Sequence, residues 1–464
     1  VKKGEPGLPD GAFESSARVL LSDNTLTISD LSLKTERATA EVDLELGWPY
    51  KSRNNIDFNL NIQGDDIRNF LPQMDSFEAE MAPFQISAAG SKQGNRLSAK
   101  KLDSNIGNLQ VSLSGQAGDI SGDDQVDIIF SVLSDDISKL GKLNGERLPA
   151  LPLNLKADFK GDAGSLTFRN LVASLGNSDL AGELDVSLES PKPGIRLAAT
   201  SDRIDIRPFL KPREKRTDDE PGNTRKKDLL IPETPLPLEA LSRMDLDVSL
   251  DIGQLQYLQD SITDMVLRYE QQDGALNISE LSYNPPRGNL MASLSVDPNG
   301  ENSAFVKIDL SAEEVVFNIS AVPQEKLDQL PAFNIDFHAE GDGSNLREVA
   351  GSMNGSFYMA SAGGNAENVD LSILETFIFD QIFSVIMPKS EESLDTQFSC
   401  IATNLEISDG LVKTKPAFAF STEKIAVVTK GTLDLKTEKM NFNFNSVPNK
   451  ALQINPGELF YPYI

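Results

Sequence analysis

Five stretches of this chain alternate polar and apolar residues without a break. They are Glu41–Leu46 (EVDLEL), Glu183–Glu189 (ELDVSLE), Asp245–Ile252 (DLDVSLDI), Asn334–Ala339 (NIDFHA) and Asn441–Asn445 (NFNFN). Successive side chains of a strand point to opposite faces. Each stretch therefore reads as a strand with one apolar face and one charged or amidic face. The predicted fold class is mainly β: an elongated antiparallel β-sheet groove of stacked repeat units. Short helices and one longer apolar helix near residues 368–387 complete it. A sheet built this way carries an apolar face that something must cover, and the chain supplies few amphipathic helices to do so.

Internal similarity organises the rest. Thr25-Leu26-Thr27-Ile28-Ser29-Asp30-Leu31 returns 140 residues later as Ser165-Leu166-Thr167-Phe168-Arg169-Asn170-Leu171. Ile67-Arg68-Asn69-Phe70-Leu71 returns after 139 residues as Ile206-Arg207-Pro208-Phe209-Leu210. Weaker copies begin at Arg96, Ala275 and Asn404. The unit is about 70 residues long. Each unit is predicted to hold a short strand (Leu26 to Ile28), a second strand (Leu31 to Lys34) and a longer alternating strand. A turn rich in Gly and Pro follows, then another alternating strand such as Asn55 to Ile62. It closes on a short helical turn, Asp66 to Leu71 or Asp136 to Leu140.

Two segments interrupt the series. Residues 211–237 mix charges with prolines and show no alternation, which predicts a solvated flexible linker. The chain then divides into a β-repeat region (11–210), the linker (211–237) and a C-terminal β-groove region with an inserted helix (238–464). Between Asn368 and Met387 the period changes. Leu371, Leu374, Phe377, Ile378, Ile382, Val385 and Ile386 recur at spacings of three and four, Phe379 and Phe383 widen the apolar surface, and Pro388 stops it. A helix that caps the sheet's apolar face, or touches a membrane or partner, is expected there through Leu374, Phe377, Ile378, Ile382, Phe383 and Ile386.

Composition narrows the function. With 43 basic and 70 acidic residues the formal charge is −27, which disfavours nucleic-acid binding. No run approaches the roughly 20 apolar residues that span a bilayer. The start, Val1 to Pro9, is neither a signal peptide nor an anchor, and the chain reads as a piece of a longer protein. One cysteine, Cys400, rules out an internal disulfide framework; on a strand face with Phe398 and Ala402 it is expected to be a small buried packing residue. One histidine, His338, shares the polar face of its strand with Asn334, Asp336 and Glu340 and is expected to point outward into solvent. No His-based metal cluster, Ser/His pairing or phosphate loop is visible. Carboxylate pairs such as Asp65-Asp66 and Glu313-Glu314 lack an EF-hand register or sugar-stacking aromatics. The expectation is a protein that is not an enzyme and needs no catalytic residue, metal or cofactor.

The apolar face is then the candidate site. Its predicted residues are Val42, Leu44 and Leu46; Ile56, Phe58 and Leu60; Leu184, Val186 and Leu188; Leu246, Val248 and Leu250; Ile335 and Phe337; Leu433 and Leu435; Phe442 and Phe444. Burying one such side chain is worth about 1.5–3 kcal/mol, so leaving tens of them wet is untenable. The sheet must close into a barrel, pack on a second sheet, or curl into a trough filled by acyl chains.

Three features together resemble the AsmA family of Gram-negative bacteria. They are the Leu-x-[Ile/Phe]-x-[Asp/Asn]-Leu openings, the DLDVSL-type strands and the closing stretch. That last runs through Gly351–Phe357, Thr396–Gly410 and Lys430–Leu435. The resemblance extends from Gly11 to Val447. It implies a bridge-like β-groove in the periplasm, held to the inner membrane by an N-terminal anchor that this chain does not contain. Such a groove shields phospholipid acyl chains on their way to the outer membrane and so supports outer membrane biogenesis, with possible envelope protein partners. The alternatives are a non-catalytic envelope scaffold or outer membrane protein assembly factor, an outer-membrane barrel, for which one Trp and seven Tyr are poor girdle material, and an enzyme acting on envelope polymers.

Overall fold

The structure is a computed structural model that describes residues 12–22, 24–48, 55–69, 77–94, 96–118, 126–143, 145–162, 164–188, 191–210, 230–257, 260–300, 302–316, 330–365, 397–422 and 425–448. The chain divides into two compact units, Val1–Ile204 and Asp205–Ile464.

The long strands of the first unit form an antiparallel meander: β1 (Phe13–Ser22), β2 (Thr25–Thr35), β3 (Ala38–Gly47), β4 (Asn55–Gly64), β5 (Phe84–Gln93), β6 (Arg96–Ile106), β7 (Leu109–Ala117), β8 (Val126–Ser134), β9 (Leu153–Gly161), β10 (Ser165–Leu175), β11 (Ser178–Ser187) and β12 (Gly194–Ser201), while the short segments Phe77–Ala79, Gly141–Leu143 and Glu146–Arg147 pair in a separate small sheet. Each long strand pairs with its neighbour in sequence. β1 and β12 do not pair with each other, so the sheet is open and no barrel forms. Every residue of the edge strand β1 is exposed.

The repeated motif proves to be one strand with a bulge, where alternation had predicted two short strands. In β2 the register slips between Ile28 and Leu31, in β6 between Ala99 and Leu102, and in β10 between Phe168 and Leu171. Asp30 and Asn170 sit at the slip with φ of 52° and 49°. The physical reason is parity. Leu26 and Ile28 occupy even positions, Leu31 and Leu33 odd ones. In an unbroken strand they would face opposite sides. One extra residue with left-handed backbone returns all four to the same face. Asn and Asp tolerate that conformation better than other side chains. The similarity at 404–411 has a different origin: Asp409 and Gly410, with φ of 48° and 70°, form a two-residue hairpin between paired Ser408 and Leu411.

The expected helical turns are present as 3-10 turns, Ile67–Asn69 and Ile137–Lys139. In each, an Asp carboxylate takes up a backbone N–H left free by the turn: Arg68 donates to Asp66 and Ser138 to Asp136, both at 3.0 Å. Ile67 and Ile137 are buried, pinning the turns to the sheet end.

The second unit repeats the scheme. A single helical turn, α1 (Leu238–Leu241), precedes β13 (Asp245–Tyr257), β14 (Asp260–Gln272), β15 (Ala275–Asn284), β16 (Asn289–Pro298), β17 (Ala304–Val315) and β18 (Phe333–Gly343). Helix α2 (Leu346–Ser352) comes next, then β19 (Asn354–Ser361), β20 (Gln397–Ser408), β21 (Leu411–Thr422), β22 (Ile425–Asp434) and β23 (Lys439–Pro448). These strands again pair antiparallel in sequence order. β15 carries the same bulge, between Ile278 and Leu281. The helix expected at 368–387 and residues 211–229 of the expected linker lie outside the described residues.

α2 starts at a capping box. The Asn345 side chain accepts the Glu348 N–H at 3.0 Å, and the Glu348 carboxylate accepts the Ser344 N–H at 2.9 Å. It seats closely on β18 because two residues there lack a Cβ. A Cβ on Gly341 would fall 2.6 Å from the Val349 carbonyl oxygen, and one on Gly343 2.5 Å from the Val349 nitrogen. Cys400 corrects the expectation made for it: it is exposed. The inward face of β20 belongs to Ile401, Thr403 and Ile407, all buried, so Cys400 and Ala402 point outward. His338 lies on the outer face, half-exposed, with its Nδ1 against the Asp309 carboxylate.

Two outcomes are expected. Asn170→Val forces a β-branched residue into left-handed backbone and costs about 1–3 kcal/mol, whereas Asn170→Gly stays within about 0.5 kcal/mol of the parent. Both lose the Asn170–Asp158 hydrogen bond, so the gap between their urea midpoints isolates the bulge. The second outcome concerns acid. A Ser138 hydrogen bond holds the Asp136 carboxyl below its ordinary range, and the Gly164 backbone N–H does the same for Asp162. Groups with a depressed folded pKa stabilise fully above their unfolded value of about 4 and lose that contribution as pH falls through the folded value. Urea midpoints should hold between pH 7 and 5 and drop below pH 4, less so in Asp136→Asn.

Candidate functional site: the apolar face

Register lines the apolar side chains into rows that cross the sheet. In the first unit one row runs Val19, Ile28, Leu44, Phe58, Gly90, Ala99, Gly115, Ile128, Phe159, Phe168, Leu184, Leu197, each paired with the next across adjacent strands. No polar residue interrupts it. The row at one margin of the face is broken by Lys92, between Ile56 and Leu97. Towards the other margin, the buried Ser104 hydroxyl has no hydrogen-bond partner. The unbroken path therefore lies along the middle.

Exposure decides whether another protein layer covers that path. Ile28, Leu44, Phe58, Ile128, Phe159, Phe168, Leu184 and Leu197 are all half-buried. Under a second layer such residues would be nearly inaccessible. Their shielding comes from neighbours on the same face, such as the tilted Phe159–Phe168 pair with ring centroids 5.1 Å apart. At the row's centre the Phe58 ring leans over Gly90, where a Cβ would come within 2.8 Å of it. At this level a recess of about 390 Å³ is lined mainly from the polar face, by Thr27, Asp43, Glu45, Asp57, Asn59 and Lys100 among others, so it is not a pocket of the apolar row.

The opposite face is polar and internally paired. Arg169 bridges Glu183 and Asp185, both at 3.1 Å, and Thr167 donates to Asp185 at 2.8 Å. Partial burial pushes the Asp185 carboxyl up, but the bonds from Thr167 and Arg169 outweigh it and leave the pKa below its ordinary value. Ser112 donates to Asp103 across β6 and β7 at 2.9 Å. The sheet separates an oily side from a charged one strand by strand.

The predicted residues fall into three environments. Val42, Leu44, Leu46, Ile56, Phe58, Leu60, Leu184 and Val186 are half-buried in the first unit, as are Leu246, Val248, Leu250 and Ile335 in the second. Leu188 and Phe444 are the most open, at 52 % and 43 % exposure. Leu433 and Leu435 are enclosed in a cluster with Ala350, Ile407 and Val412, against which Ile231, Phe337, Met353, Leu405 and Phe442 pack. Helix α2 thus covers one end of the second unit's apolar face. Alternation does not reveal this cover; the capping signal Asn345-x-x-Glu348 does. Among the described residues, no helix is long and apolar enough to cross a membrane and no cluster of metal-ligating side chains is found.

Fold and site together define a protein of open antiparallel meanders, each with one apolar and one polar face. The model of the AsmA family matches residues 165–417, more than half of the chain, and the chain belongs to that family. The match is narrower than the sequence resemblance, which starts at Gly11. No curated relative and no solved structure matches.

The open face and the closed end should respond differently to truncation. Leu433→Ala leaves a hole in an enclosed cluster and is expected to cost about 2–5 kcal/mol. Leu184→Ala removes a half-wet side chain and should cost about 1–2 kcal/mol. Urea unfolding of the two variants checks the difference; equal large losses would mean that Leu184 is covered.

Proposed function

We propose that this chain is a periplasmic lipid-binding and lipid-transport protein that carries phospholipid acyl chains along its apolar face in support of outer membrane biogenesis. Membership of the AsmA family supports a role connected with lipid movement or envelope assembly. The observation that carries the finer reading is the unbroken apolar row from Val19 to Leu197, whose large side chains from Ile28 onward are half-buried and whose first, Val19, is exposed. Such a row needs a cover that the described residues do not supply, and an acyl chain offers one of matching chemistry. Each methylene that leaves water against the row gains about 0.8 kcal/mol. Headgroups stay in solvent, and the charged polar face keeps the protein dispersed. The role is non-catalytic: the acyl chain changes neighbours while no bond is made or broken. Attachment to the inner membrane and a partner protein that receives the lipid belong to the same proposal.

Native mass spectrometry of detergent-free protein from envelope extracts is the test. Bound phospholipid is expected in the parent. Val186→Asp and Leu250→Asp place a carboxylate on the apolar face, where acyl contact would strip its water, so bound lipid should fall at least about tenfold. Folded parent protein that carries no lipid, and takes none from phosphatidylethanolamine vesicles, would leave the scaffold reading in its place.

A further inference from the structure

The closed end of the second unit is held by more than α2. Residues 230–237 lie across it as a strap. The Glu438 carboxylate accepts the backbone N–H of Leu230 at 2.7 Å and that of Ile231 at 2.6 Å. Arg347, on α2, donates to the Ile231 carbonyl, and its guanidinium lies 3.7 Å from the Glu233 carboxylate. Farther along, the Leu236 N–H donates to the Ser344 carbonyl at 2.9 Å, and Pro235 bridges to Asn345. Ile231 alone adds a side chain to the cluster of Leu433 and Leu435, while Leu230 is 55 % exposed. The strap is fixed mostly by polar ties, to Glu438, Arg347 and the Ser344 carbonyl, and only Ile231 among its residues joins the buried cluster.

Glu438 is an odd residue for its position. It ends the turn at 435–438 with φ of 52°, left-handed backbone where Gly or Asn is favoured. A long side chain placed there against preference suits a task for its carboxylate, and the carboxylate spans two successive backbone donors. Resting on the lipid reading above, we propose that residues 230–237 are a latched strap, with Glu438 as the latch, that sets how far an acyl chain can travel along the second unit. Latched, the strap and α2 stop the chain short of Leu433 and Leu435. Released, it frees Ile231 and thins the cover over the cluster of Leu433 and Leu435, against which Phe337, Leu405 and Phe442 also pack. Charged hydrogen bonds of this kind break and re-form without unfolding the sheet, because the strap contributes no strand to the meander.

Glu438→Gly tests this without endangering the turn, since glycine suits positive φ. Hydrogen exchange at the Leu230 and Ile231 amides should accelerate at least about tenfold in this variant. Glu438→Gln, which keeps one strong acceptor, should fall between it and the parent. Photo-crosslinking with a diazirine-bearing palmitate supplies the second readout. The parent should be labelled around Leu246–Leu250 and spared at 401–412 and 425–435; Glu438→Gly should be labelled in all three. Unchanged amide exchange overturns the latch. Faster exchange with an unchanged labelling pattern overturns the gate but leaves the lipid face standing. Absence of labelling from both proteins sinks the lipid reading and the gate with it.

Discussion

Everything in this protein depends on keeping apolar side chains in phase across one face of a sheet. Period two gives that phase within a strand, and pairing carries it to the next strand. The parity break between Ile28 and Leu31 would destroy it: Leu31 and Leu33 would turn into water, and the row would end at β2. The bulge at Asp30 restores the phase, and its equivalents in β6, β10 and β15 do the same. A left-handed Asp or Asn costs little at a bulge, far less than turning two leucines outward. The faces are therefore continuous because a defect recurs in register, not because the strands are perfect.

Much of this was legible in the sequence, and the limits have physical causes. Strands such as Asp245–Tyr257 announced themselves because alternation is local and strong. The turns at Ile67 and Ile137 were legible because an Asp cap and a buried Ile sit within three residues of each other. The bulges were visible but misread, since a phase jump in one strand looks like a gap between two. Asp409-Gly410 imitated the repeat because left-handed residues serve both bulges and hairpins. Cys400 was assigned to the wrong face: its register slips against Phe398, at a bulge between β20 and β21. The closed end was the hardest to see. Leu433 and Leu435 alternate like any other pair, and what encloses them comes from Ala350 and Ile231, far away in sequence. A seven-residue helix is also too short to show its own period.

The two units spend their hydrophobic residues differently. In the second, Ala304, Ala339, Met359 and Phe333 are nearly inaccessible, and α2 adds Val349 and Ala350 to a closed core. In the first, the buried apolar residues are Phe84, Val126, the turn residues Ile67 and Ile137, and the small Ala157 and Ala199 among the described residues. Its stability rests on strand-to-strand ladders and on same-face neighbours such as Phe130, Phe159 and Phe168. Only this economy leaves a face open: a protein that fully sealed its leucines would have nothing to offer a ligand.

The composition of the central row also bears on how a fatty chain would move. A binding pocket traps its ligand because one position is far better than its surroundings. Along Val19 to Leu197 every step exchanges one nonpolar residue, glycines included, for another, and no side-chain hydrogen bond or charge marks a preferred stop. An acyl chain that slides by one strand loses and gains about the same contact area, so at about 25 cal/mol per Å² the free energy profile stays nearly flat. The small residues Gly90, Ala99 and Gly115 make the contact shallower at mid-row, and the phenylalanines at 58, 159 and 168 make it deeper on either side. Such undulation sets a rate but no direction. Under the proposed function, a passive surface of this kind would move lipid down whatever gradient it meets, so control of traffic has to come from elements outside the row.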